Sequence, residues 1–135
     1  MNLDWKWVGL GALIMLALGI LAGIVLGLVV GAQIGTQLES GIDPADITLS
    51  GGQMAAAAIL NFLAFAIGGF IVGIKSAGRT IWEPAIAAAL AVAVGLLLSG
   101  SFTLGNLLAG GLVPFLAGLL GGWLGERRQE SKAAP

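Results

Sequence analysis

Ionisable residues divide the chain into long silent stretches: none occurs over residues 7–38, none over 47–74 and none over 84–125. An unpaired charge at the centre of a bilayer is costly, and roughly 20 apolar residues let a helix cross it. Each gap therefore predicts at least one rod. The last gap, broken by the turn-forming Ser99, Gly100 and Ser101, predicts two. The expected helices cover 7–34, 51–74, 81–98 and 104–124. Their unbroken Ala, Leu, Ile and Gly runs lack the two-residue alternation of a barrel strand, so the pattern predicts an all-α, integral-membrane four-helix bundle. Residues 1–135 form a single transmembrane domain in this reading, with 125–135 as a short cytoplasmic tail.

Polar residues at the ends of these runs supply start signals. Ser50 with Gln53 has the spacing of a capping box, and Thr103 with Asn106 is a looser version. Thr80 with Glu83 reads as a third box; alternatively Glu83 itself caps, with Pro84 at the first helical position. Asp43, Pro44 and Asp46 predict a short surface helix in the first connection. Val30, Gly31 and Ala32 imitate the cleavage site of a secretory signal. The apolar run is far longer than the usual span of roughly 7–15 residues, however, and Asp4 stands beside Lys6, so a retained helix is expected.

Charge then orients the rods. Lys6, Lys75, Arg79, Arg127, Arg128 and Lys132 fall at the N-terminus, in the second connection and in the C-terminal tail, whereas the first connection carries only Glu39, Asp43 and Asp46. Four crossings place the three basic segments on one side, which the positive-inside rule makes cytoplasmic. Trp5, Trp7, Trp82 and Trp123 map to the same boundary, where amphipathic rings settle. Composition agrees: 58% of the 135 residues are hydrophobic and 10% charged, where a soluble domain carries about 25% charge. In style the chain resembles small multi-pass proteins of the bacterial inner membrane, and no motif ties it to one family.

The sharpest local pattern is Gly19, Gly23, Gly27, Gly31 and Gly35, a stripe at a strict four-residue interval. Within lipid, helices associate through close backbone approach, which small residues permit. Four residues advance a helix by about 400°, so the stripe winds slowly and no single neighbour covers all of it. It serves either packing within the bundle or a seam between chains. Gly69 with Gly73, Gly118 with Gly122, and Gly121 with Gly125 are shorter small-residue pairs, expected to pack within the chain.

A shift of 53 residues lays Asn61, Phe62, Leu63, Ala64, Gly68 and Gly69 over Pro114, Phe115, Leu116, Ala117, Gly121 and Gly122, and Gly52 and Ala56 over Gly105 and Ala109. Both segments would run from outside to inside, so the bundle is expected to consist of two parallel-repeat helical hairpins. Asn61 is the strongly polar side chain nearest the middle of a span. It reads first as one interhelical hydrogen bond, worth about 0.6 kcal/mol on average, and second as a point on a substrate path. Pro114 removes a backbone donor and predicts a helix kink.

Catalytic chemistry has little to work with. Cys and His are absent and the three charge-free stretches hold no acid, so thiol, zinc, serine–histidine and intramembrane aspartyl sites lack their groups. No phosphate-binding loop follows a strand, and no connection has room for a catalytic or nucleic-acid domain. The acids of the first connection read as a solvated face and not a cation site. Lys75, Arg79, Arg127 and Arg128 read as topology determinants that also suit anionic lipid head groups. The expectation is a non-enzymatic accessory or scaffolding subunit without a cofactor. Its partners would be the lipid bilayer and either copies of itself or a larger membrane-protein complex. The alternative is an oligomeric pore or small-solute carrier without intramembrane charge, and a lipid-interacting protein is a third class.

Overall fold

The computed structural model describes residues 3–47, 50–76, 81–100 and 104–133 and, among these, contains helix and no strand. The elements are α1 (Trp5–Glu39), a 3-10 turn (Pro44–Asp46), α2 (Gly51–Lys75), α3 (Trp82–Ser99), α4 (Leu104–Leu107), a π-helical turn (Leu108–Leu112) and α5 (Val113–Ala133). The last three run on without interruption, so the described residues form four rods. Helices α1 and α2 are long and apolar enough to cross a membrane, and Trp82–Leu98 is a shorter apolar helix.

Local chemistry explains where the rods begin and stop. The Asp4 carboxylate accepts from the Trp7 N–H at 3.4 Å, so α1 starts at Trp5, before the expected residue 7. It also runs beyond residue 34, where Thr36 Oγ1 donates to the Gln33 carbonyl at 2.8 Å, and ends as Gly41 turns the chain at φ +85°. The Ser50 box forms in both directions: Ser50 N–H donates to Gln53 Oε1 at 2.9 Å and Gln53 N–H to Ser50 Oγ at 3.2 Å. Asp43 caps the 3-10 turn through the Ala45 N–H. Helix α3 closes on Gly100 in the left-handed region, the break expected at 99–101.

Two expectations are corrected. Helix α3 starts at Trp82 with Ile81 as an N-cap that makes no side-chain capping bond, so Glu83 and Pro84 lie inside the first turn and neither caps it. The last helix does not end at residue 124; it remains helical to Ala133, as befits the helix-forming Glu, Arg and Gln residues that follow. Arg79, Thr80 and Thr103 lie outside the described residues.

The core occupies one end of the bundle. Val8, Gly11, Ala12 and Met15 are the buried residues of α1, and nothing beyond Met15 in that helix is buried. They meet Phe65 and Val72 of α2, Ala87, Ala88 and Ala91 of α3 and Ala117 of α5. With so much alanine at the contacts, the rods approach almost to backbone distance, and notches accept what knobs there are. Met15 fills the space over Gly68, and Val72 that over Gly11. The N-terminus of α1 is tied in by the Asp4 N–H, which donates to Glu83 Oε1 at 3.4 Å beneath α3, where Glu83 is fully buried.

Candidate functional site

The glycines fall into two sets. Where α2 meets α5 they are filled: a β-carbon on Gly69 or Gly73 would overlap the carbonyls of Gly118 or Gly122, and one on Gly121 or Gly125 those of Ala66 or Phe70. Gly118 and Gly122 also receive Ala88 and Pro84 of α3. These contacts run in the same direction along both helices and equate Ala66, Gly69, Phe70 and Gly73 with Gly118, Gly121, Gly122 and Gly125. That symmetry is one residue away from the alignment by 53, which pairs Gly69 with Gly122. By contrast, a β-carbon on Gly19, Gly23, Gly27, Gly31 or Gly35 would meet nothing within 4 Å.

Away from the packed end, α1 parts from α2 and the last rod and leaves an open-sided cleft. Two adjoining hollows of about 500 and 360 Å³ share Gly19, Asn61 and Gly110 in their linings. Gly23, Leu26, Met54 and Ala57 line the larger and Met15, Phe65 and Leu96 the smaller. The stripe turns about 40° per glycine. Gly19 and Gly23 therefore face this cleft, whereas Gly27, Gly31 and Gly35 wind out of it.

Asn61 and Pro114, aligned by the sequence shift, both bear on the cleft. Asn61 lies half-buried at its floor, and among the described residues its amide makes no hydrogen bond to another helix, so the interhelical bond expected of it is not formed. Pro114 is fully buried, and the departure it causes is the π-helical turn just before it. Val113 donates to the Leu108 carbonyl, five residues back. Pro114 has no N–H, so the Gly110 carbonyl loses the donor an α-helix would give it. Gly110 and the π turn were missed by sequence reasoning. The Gly110–Gly111 pair before Pro114 was the available signal.

The opposite end is polar. Gln129 Nε2 donates to the carbonyls of Ile74 and, at 3.2 Å, Ser76, so the last turns of α5 close off the end of α2. Arg127 stacks over the Trp123 ring at 5.2 Å, and Lys75 and Arg128 are exposed. Desolvation holds the Glu126 carboxyl above its ordinary range, helped by the negative charges of Glu130 and Glu83. A raised carboxyl disfavours the folded state once it ionises, and that penalty disappears as pH falls through the raised value toward the ordinary one. Glu126→Gln is therefore expected to raise the melting temperature at neutral pH and to lose that advantage by pH 4.5. A difference that stays constant across pH would contradict this.

Comparison with protein-family profiles, curated protein sequences and solved structures finds no match.

Proposed function

We propose that this chain is a small non-enzymatic scaffold of a bacterial inner membrane. It would cross four times with both termini cytoplasmic, and self-associate or join a larger membrane complex through the outer part of α1. The observation that carries the reading is the contrast between the two glycine sets. Every small-residue notch between α2 and α5 is occupied from within the chain, and the longest run of notches is not. In lipid, an open backbone groove is a surface to which another helix can come close. Gly27, Gly31 and Gly35, turned away from the cleft, are the positions assigned to that neighbour. The membrane reading is supported by the many large apolar side chains left exposed on the rods, Leu28 of α1 (72%) and Leu98 of α3 (76%) among them, which a water-soluble monomer would not carry in such number.

Native mass spectrometry of the protein released in gentle detergent tests the assembly. A fixed multiple of the chain, or a defined co-purifying complex, is expected, and a lone monomer would sink the proposal. Compartment-specific labelling should reach Asp43 and Arg128 from opposite sides of the membrane; labelling of both from one side would overturn the topology. The cleft favours a second reading, a small-solute carrier. Sealed liposomes bearing the pure protein separate the two, since a scaffold gives no solute flux.

A further inference from the structure

From the geometry of the cleft we infer that it is a binding site for a neutral amphiphile taken up from the bilayer, an apolar body carrying a hydroxyl or amide N–H that donates to Gly110 and Asn61. Three observations converge on this. The hollows, about 500 and 360 Å³, lie in the range of ligand sites, roughly 300–1,000 Å³. Their walls are largely aliphatic, so most of the occupant is apolar. Their shared floor holds Asn61, and Gly110, which lacks a side chain and can present only backbone; the other polar lining residue, Gln53 of the larger hollow, has its side-chain oxygen engaged by the Ser50 N–H.

The chemistry of that floor selects the ligand. The Gly110 carbonyl has lost its helical donor to Pro114, and the Asn61 carboxamide contributes a further acceptor beside its two N–H donors. Acceptors in an apolar surrounding call for a donor, because an unsatisfied carbonyl there is costly. The cleft lining contains no ionisable side chain, which leaves a charged head group without a counter-charge and favours a neutral one. Irregular helix of this kind is tolerated at membrane depth where it lines a cavity, and π turns recur at functional positions. The site is independent of the assembly surface, since Gly27, Gly31 and Gly35 line neither hollow.

Photolabelling with a diazirine-bearing octanol, using the whole protein in lipid nanodiscs and peptide mapping of the adducts, tests this. Adducts should concentrate on segments 19–26, 54–61 and 110–113 and be competed by excess octanol but not by octane. Asn61→Leu, close in volume, should lower labelling of these segments about three- to tenfold, the worth of one hydrogen bond, and leave other lipid-facing labelling unchanged. Pro114→Ala adds a backbone N–H that can reach the Gly110 carbonyl once the π turn relaxes to α-helix, and should lower it in the same sense while Asn61 remains. Uniform labelling of all exposed faces, equal competition by octane, or labelling indifferent to both substitutions would overturn the inference. Helical circular dichroism and native mass confirm that each variant is folded.

Discussion

Gly121→Ala is expected to be among the most damaging single-methyl additions available in this chain, lowering stability by about 3 kcal/mol or more. At most sites in a core, an added methyl displaces the end of a flexible side chain. Here it would overlap the Ala66 carbonyl, part of the α2 backbone, and Gly125 and Gly69 repeat the same contact one turn away on each helix. Relief requires α2 and α5 to separate, which would also draw Gly118 and Gly122 off Ala88 and Pro84 and so loosen α3. Thermal unfolding in detergent, followed by tryptophan fluorescence, should show a melting temperature lower by about 10 °C or more. A shift within 2 °C of zero, on the order of the scatter for a surface substitution, would mean that the two backbones are not in contact.

Gly31→Leu, a far larger change, is expected to do the reverse. Nothing within the chain lies over Gly31, so the monomer should melt within about 2 °C of the parent. The native mass should fall instead, because the groove assigned to a neighbouring helix is filled. Gly27→Leu should act in the same way. If the assembly survives both substitutions, another surface holds it together. If instead the melting temperature drops sharply, α1 is packed along its whole length within one chain.

The rods were legible because charge is excluded from long apolar helices, and Ser50 with Gln53 was legible because a capping box has a fixed spacing. Small-residue pairs likewise identified the faces of α2 and α5 that touch. Their register was not legible. Identity between Gly- and Ala-rich segments rewards Gly69 over Gly122, whereas interlocking depends on which carbonyl faces which notch, and that pairs Gly69 with Gly121 by symmetry. Gly11 was not singled out, and Gly68 entered only as a repeat position, because each is a notch matched to a side chain, Val72 or Met15, on another rod. The π turn was hidden for a related reason: one additional residue in a helical turn leaves an apolar run apolar. Glu83 carried the signature of a capping residue, and only the assembled end of the bundle reveals it as the buried acceptor of the Asp4 N–H.

Because α1 is gripped only as far as Met15, it is mounted like a mast stepped at its foot. From Met15 to Gly35 the free length is about 30 Å, so a tilt of about 10° at the foot carries the top sideways by about 5 Å, close to one full helical pitch. In the proposed assembly, a neighbour holding the masthead would have leverage over the gap at its base, and a bilayer growing thicker or thinner would pull on the same lever.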